Sequence, residues 1–252
     1  MSAAPTAPPP QREPELLGQT VVVIGGSAGI GFETARRARL EGARVILTGR
    51  NPERLRQAAS ELGAASSVAF DATDSARLEG FFRELPSPTD HVMVTAGAPY
   101  YGRLADMDFE EVRRVLDEHV LLVLQIARHA VTKVRPGGSL IFMSGTGGRR
   151  PAIGLSVASA MTMALPALAR GLALEIAPVR VNVIAPGFVD TGLSASLLGG
   201  QLENRRKQLR ETLPIRRVVG PTDVAALAVH LMSNTALTGA TYDVDGGQQI
   251  VE

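Results

Sequence analysis

The stretch Val21-Val22-Val23-Ile24-Gly25-Gly26-Ser27-Ala28-Gly29-Ile30-Gly31 decides how the rest of the chain is read. Four β-branched residues in a row suit a strand buried on both faces of a parallel sheet. Glycines at 25, 29 and 31 break that run, and residues 32–40 resume with helical spacing. A strand, a tight turn and a helix in this order let the backbone approach a pyrophosphate closely. The first helical turn then offers free N–H groups and the positive end of a dipole. Three glycines alone are weak evidence; placed between a strand and a helix, they predict dinucleotide binding.

The same rhythm repeats outward from that turn. Residues 44–48 read as a second strand, 52–62 as a helix with proline at an early position, and 67–70 and 90–94 as strands flanking a helix over 74–85. A longer helical pattern runs over 109–134, and Pro136-Gly137-Gly138 is expected to stop it before a strand at 139–143. Residues 154–176 read as helix again, with Pro166 expected to kink or break it. A sixth strand covers 179–184, and a last one closes at Val244 before Asp245-Gly246-Gly247. This alternation predicts an α/β fold: a single-domain, Rossmann-like, doubly wound parallel sheet of about seven strands, with helices on both faces. Ligands of such sheets bind at the carboxyl ends of the strands, so the informative residues should follow each strand.

A chain of 252 residues can bury one large core. Its 26 Lys and Arg nearly cancel 25 Asp and Glu, so neither nucleic acid nor an anionic membrane is an expected partner, and a small-molecule substrate is. The absence of cysteine excludes disulfides, thiolate metal ligands and a thiol nucleophile; no metal site is expected, and a cytoplasmic location is. Residues 1–14, rich in proline and alanine, lack the apolar segment and basic start of a signal peptide and read as a disordered tail before a domain over 15–252. Residues 151–169 carry no charge and would pass a hydropathy scan, but Pro151, Gly154, Pro166 and several hydroxyls favour a buried helix of a soluble protein.

The glycine turn, Asp71 after strand three, Thr95-Ala96-Gly97 after strand four, Pro186-Gly187-Phe188-Val189-Asp190-Thr191 after strand six, and Val244-Asp245-Gly246-Gly247 together resemble the short-chain dehydrogenase/reductase family over residues 18–248. The ribose-selecting position of such folds lies at the end of strand two, roughly 20 residues past the glycine turn. Thr48-Gly49-Arg50-Asn51 stands there. With no carboxylate for a 2′-hydroxyl and a guanidinium for a 2′-phosphate, NADP (NADPH) is the expected cofactor. A solvated surface arginine is the alternative, since Arg54 and Arg56 follow. The resemblance implies that Gly25, Ser27, Gly29, Ile30 and Gly31 surround the pyrophosphate, Arg50 and Asn51 the ribose, and Asp71 and Ala72 the adenine. It further implies that Ala96 and Gly97 pass beside the ribose, and that Pro186, Gly187, Val189 and Thr191 line the nicotinamide and its carboxamide. Ordinary turn chemistry is the alternative for each: Pro-Gly is a good turn dipeptide, and Asp71 can cap a helix.

The resemblance fails at the catalytic centre. Family members that reduce carbonyls place a tyrosine and a lysine four residues apart on one helix face after strand five, where the ammonium lowers the phenol's pKa. Setting Val157-Ala158-Ser159 and the run from Arg170 to Thr191 on that pattern puts Ser156 at the tyrosine position and Ala160 at the lysine position. The family's serine falls on Gly145 or, with a small gap, on Ser144, and its helix asparagine on His119. The candidate catalytic residues are therefore Ser144 as a hydrogen-bond donor, His119 as an imidazole of the type that titrates near neutrality, and Tyr101, on the loop after strand four, as a phenol. Each has a plainer alternative: a strand-end hydroxyl, a histidine satisfied by a backbone carbonyl, and a pocket wall, the last shared with Tyr100. Arg149 and Arg150 read as a solvated basic pair or an anion site, residues 192–213 as a substrate lid with the charged run 203–210 as its solvated outer face. A homodimer or homotetramer is expected, with Leu121, Val123, Leu124, Leu165 and Leu168 as interface or core. The function expected is an NADP(H)-dependent oxidoreductase acting on a small carbonyl, imine or activated alkene with a non-standard proton source. The alternatives are an inactive NADP(H)-binding regulator and a non-redox isomerase or cyclase that reuses the pocket.

Overall fold

The computed structural model describes residues 13–150 and 152–251. Most of the expected tail, residues 1–12, and Pro151 lie outside the described residues. Seven strands, β1 (Thr20–Ile24), β2 (Arg44–Gly49), β3 (Ser66–Ala69), β4 (Thr89–Val94), β5 (Val134–Met143), β6 (Arg180–Pro186) and β7 (Thr241–Val244), form one sheet in the order β3-β2-β1-β4-β5-β6-β7. Every neighbouring pair is parallel. The order reverses between β1 and β4, and that switch point opens a crevice at the carboxyl ends of the strands.

The helices are α1 (Gly29–Leu40), α2 (Pro52–Leu62), α3 (Ser75–Glu84), α4 (Phe109–Leu116), α5 (Leu122–Ala130), α6 (Ser156–Glu175), α7 (Gly192–Leu198), α8 (Leu202–Thr212) and α9 (Pro221–Ser233). The two-residue period of the central strands divides the core. Val22, Ile24, Val92, Val94, Leu140, Phe142, Val181 and Val183 pack with α3, α5 and α6. Val21, Val23, Met93, Ile141 and Ile184 pack with α1, α2 and α9 on the other face.

Four expectations are corrected. The helical run over 109–134 ends at Ala130 and carries a π turn at Asp117–Leu121 between α4 and α5. Pro136-Gly137-Gly138 lies inside β5 rather than before it: Val134 pairs with Thr89 and Ser139 with His91, so the intervening residues bulge. A Cβ on Gly138 would lie 2.3 Å from the Asp90 carbonyl oxygen, which is why the bulge needs glycine there. Pro166 lies within α6 without ending it. By length and composition that helix could cross a membrane, and with 28% of its apolar window buried it is not the buried helix expected. It buries one face, through Ala158, Met161, Leu165, Ala169 and Leu172, and leaves Met163 and Leu174 open.

Candidate active site

The glycine turn after β1 is built by contact. Gly25 has φ +96°, and a Cβ on it would lie 2.7 Å from the Thr95 hydroxyl; a Cβ on Gly31 would lie 2.3 Å from the Gly25 carbonyl oxygen. Loop and helix can cross this tightly only without side chains there. Ala28 caps α1 without a side-chain hydrogen bond, so the first-turn N–H groups face outward and keep their anion-binding capacity. A Cβ on Gly29 would sit 3.6 Å from the Thr191 methyl, and one on Gly49 3.0 Å from the Ser27 hydroxyl. The turn is thus flanked by the end of β2 on one side and the segment after β6 on the other. An uncapped helix end over a cradle that a methyl would fill fits a dinucleotide pyrophosphate.

At the adenosine end, Arg50 leaves β2 and lies 3.9 Å from Glu118, whose carboxylate also takes a hydrogen bond from Arg114 at 3.0 Å and one from the Ala98 N–H at 3.3 Å. Glu118 is 7% exposed; the π turn rotates it inward, out of the periodicity that would have left it on the surface. No motif signals this residue. Asn51 caps α2, accepting the Arg54 N–H at 2.9 Å. Asp71 does not cap a helix: Asp74 caps α3, and Asp71 accepts the Thr73 N–H and hydroxyl instead. Burial raises the Asp71 pKa, but the two Thr73 donors and the Arg50 and Arg114 charges outweigh it and hold the carboxyl below its ordinary value. Ala72, next to it, is buried.

At the other end, the N–H of Thr146 donates to the Pro186 carbonyl and ties the serine loop to the segment after β6. Gly187 packs against Asp245 and Gln248, Val189 is buried and bridges to Val219, and Thr191 caps α7. Arg206 of α8 makes a two-pronged ion pair with Asp190 at 2.6 and 2.9 Å, and Leu209 beside it is fully buried. The charged run over 203–210 is therefore not simply a solvated outer face; one side clamps α8 onto the 186–191 segment. Arg149 and Arg150 likewise are neither free nor an anion site: Arg149 binds Asp243 and Gln249, and Arg150 the Gln249 carbonyl, stapling the C-terminal turn to the serine loop.

The catalytic candidates do not form a relay. The Ser144 hydroxyl donates to the Thr162 carbonyl at 2.9 Å. That carbonyl is the one Pro166, four residues on and without an N–H, leaves open, so Ser144 repairs the helix defect. His119 donates from Nδ1 to the Val115 carbonyl at 2.9 Å when neutral, which leaves Nε2 with its lone pair beside Gly97; Cε1 would lie 3.2 Å from a Cβ there. His119, Glu118, Ala96, Met143 and Leu165 border a small cavity. Tyr100 is engaged locally, its hydroxyl accepting the Asp108 N–H. Tyr101 is about half exposed (55%), and partial burial pushes its phenol above its ordinary value, the wrong direction for a proton donor near neutrality. Ser156 and Ala160 are exposed. The i,i+4 pair turned toward the end of β5 is Ala158, which is buried, and Thr162, whose methyl would lie 3.2 Å from a Cβ on Gly145. Ala158 and Thr162, rather than Ser156 and Ala160, thus face the end of β5, and neither of them offers an acid or a cation.

A family model described as Enoyl-(Acyl carrier protein) reductase matches residues 25–249. The chain is 30% identical to the short-chain dehydrogenase/reductase ATR9 of Stachybotrys chlorohalonatus, over 93% of this chain and 98% of that protein. Among solved structures it resembles the MalC reductase/Diels-Alderase of Malbranchea aurantiaca, with a TM-score of 0.88 at 26% identity, over 94% of this chain and 99% of that one. It also resembles BdcA in complex with NADPH, with a TM-score of 0.83 at 28% identity over 92% and 95%. The chain belongs to the short-chain dehydrogenase/reductase family, a family of oxidoreductases.

Proposed function

We propose that this protein is an NADP(H)-dependent oxidoreductase that transfers hydride to or from a small carbonyl, imine or activated alkene without the family's tyrosine and lysine. The observation that carries the reading is the uncapped first turn of α1 over the Gly25–Gly31 crossing, with Arg50 and no carboxylate at the end of β2. The NADPH complex of BdcA supports the same cofactor. When bound, the cofactor supplies hydride at its nicotinamide. The chain's part is to hold the pyrophosphate over α1, the 2′-phosphate at Arg50 and the carboxamide edge along Val189 and Thr191. Substrate is enclosed by the lid that Arg206 fastens to Asp190.

Proton handling separates the substrates. With the Ser144 hydroxyl committed to Thr162, a ketone needs a proton from water, or from His119 Nε2 after that nitrogen has taken one up, whereas an imine that binds protonated needs none. Binding and orientation still operate without a protein acid. A cyclase or isomerase that reuses the pocket for orientation is the second reading, supported by the missing acid and by the reductase/Diels-Alderase name of the MalC neighbour. Leu121, Leu124, Met163 and Leu174 stay exposed along the π turn, α5 and α6, which suits a homodimer or homotetramer; a sedimenting monomer would end that part of the reading.

The test is a titration of the purified protein with NADPH and NADH, with Arg50→Ala alongside. The expected outcome is micromolar NADPH binding, weaker NADH binding, and loss of the difference in Arg50→Ala. Equal affinities in the wild type would remove the NADP assignment, and no binding of either would remove the oxidoreductase.

A further inference from the structure

We propose that Arg114 is a second cation for the 2′-phosphate of NADP(H), paired with Arg50 across the adenosine end of the cleft and held ready by the buried carboxylate of Glu118. The inference rests on the NADP(H) reading above and adds to it a residue from a different element. Arg50 Nη1 lies 3.9 Å and Arg114 Nη1 3.0 Å from the same oxygen, Oε1 of Glu118. The two nitrogens are separated by at most the sum of those distances, a gap that one phosphate group can bridge. Glu118 does not follow the arginines, because its other oxygen is fixed by the Ala98 N–H on the loop after β4. Both guanidiniums remain open, at 65% and 52% side-chain exposure, so a ligand reaches them without a large desolvation cost.

Asp71 supplies an independent bearing. Its carboxyl, two residues past β3, feels the charges of both Arg50 and Arg114, so both guanidiniums lie near the carboxyl ends of the strands. Stability does not explain the arrangement. Arg114 precedes Glu118 by four residues, the less favourable order for a helical pair, and a buried carboxylate costs more desolvation than an apolar side chain would. Two nearby guanidiniums repel unless an anion lies between them. Glu118 is that anion without nucleotide; it stays beside both guanidiniums when NADPH binds, and their remaining, exposed N–H groups take the 2′-phosphate with its greater charge and three acceptor oxygens.

Titration calorimetry with NADPH, NADH and adenosine 2′,5′-bisphosphate on the wild type, Arg50→Ala, Arg114→Ala and Arg114→Gln decides the matter. Arg114→Ala and Arg114→Gln should each weaken NADPH and the bisphosphate about tenfold, leave NADH within about twofold, and flatten the salt dependence of NADPH binding. Equal weakening of NADPH and NADH, or no change in either, would overturn the role of Arg114. If Arg50→Ala still removes the NADPH preference in that case, the cofactor reading stands and this inference alone fails. A wild type indifferent to the 2′-phosphate would fail both.

Discussion

His91 is 1% exposed in the middle of β4, where Nδ1 meets the Ser139 hydroxyl at 2.9 Å and Nε2 meets Gln19 Oε1 at 2.7 Å. Gln19 accepts at that oxygen, so Nε2 carries the proton, and the neutral ring accepts the Ser139 hydroxyl at Nδ1. Burial lowers its pKa to about 3, aided by the Arg180 and Arg135 charges against Asp90. The unfolded chain binds a proton here below the ordinary histidine value near 6.5, while the folded chain does not until about 3. Stability from His91 is therefore complete above pH 6.5 and falls with pH between 6.5 and 3, with a slope of about 1.4 kcal/mol per unit. Urea denaturation from pH 7 to 4 should show this slope in the wild type and lose it in His91→Gln; identical slopes would refute the assignment. Backbone requirements were legible in the sequence: Gly25, Gly31 and Gly97 stand where a Cβ would crowd Thr95, the Gly25 carbonyl or His119, so position suffices. The partners of Ser144, Arg149 and Arg150 were not legible, because Thr162, Asp243 and Gln249 lie 18, 94 and 99 or more residues away.

The helix α6 shows how a local defect is repaired from a distant element. Pro166 removes the N–H that would bind the Thr162 carbonyl, and Ser144 at the end of β5 supplies the missing donor. Ser144→Ala should leave a partly buried carbonyl unsatisfied and cost roughly 1–3 kcal/mol in urea denaturation. Pro166→Ala returns the N–H, so the same Ser144→Ala change should cost less than about 1 kcal/mol in that background. Equal costs in both backgrounds would show that Ser144 has another role, and a catalytic one would return to consideration. Sequence periodicity found α6 and the run before β5 but not the π turn between α4 and α5, because both forms share one apolar face. The proline and glycines at 136–138 are turn signals whether they end a helix or bulge a strand; the parallel partner β4 decides, and no local pattern contains it.

At the scale of the whole molecule, strand alternation alone led to the doubly wound sheet, since helices of this length between buried strands allow few other packings. The seven parallel strands and their switch point bring the segments after β1, β2, β3, β4 and β6 to one edge of the sheet, where the face of α6 turned toward β5 presents Ala158 and Thr162. On the function proposed above, such a molecule holds a nucleotide and leaves proton chemistry to substrate, protonated His119 or water. The measurement that tests this most directly is deuterium transfer from NADPH labelled at the nicotinamide C4 to a panel of ketones, preformed iminium ions and enones, read by mass spectrometry of the products. The account predicts labelled product, with iminium ions turning over faster than ketones at neutral pH and the ketone rate falling in His119→Ala. Tight NADPH binding without label in any product would contradict it and leave a nucleotide-binding or cyclising protein on an oxidoreductase fold.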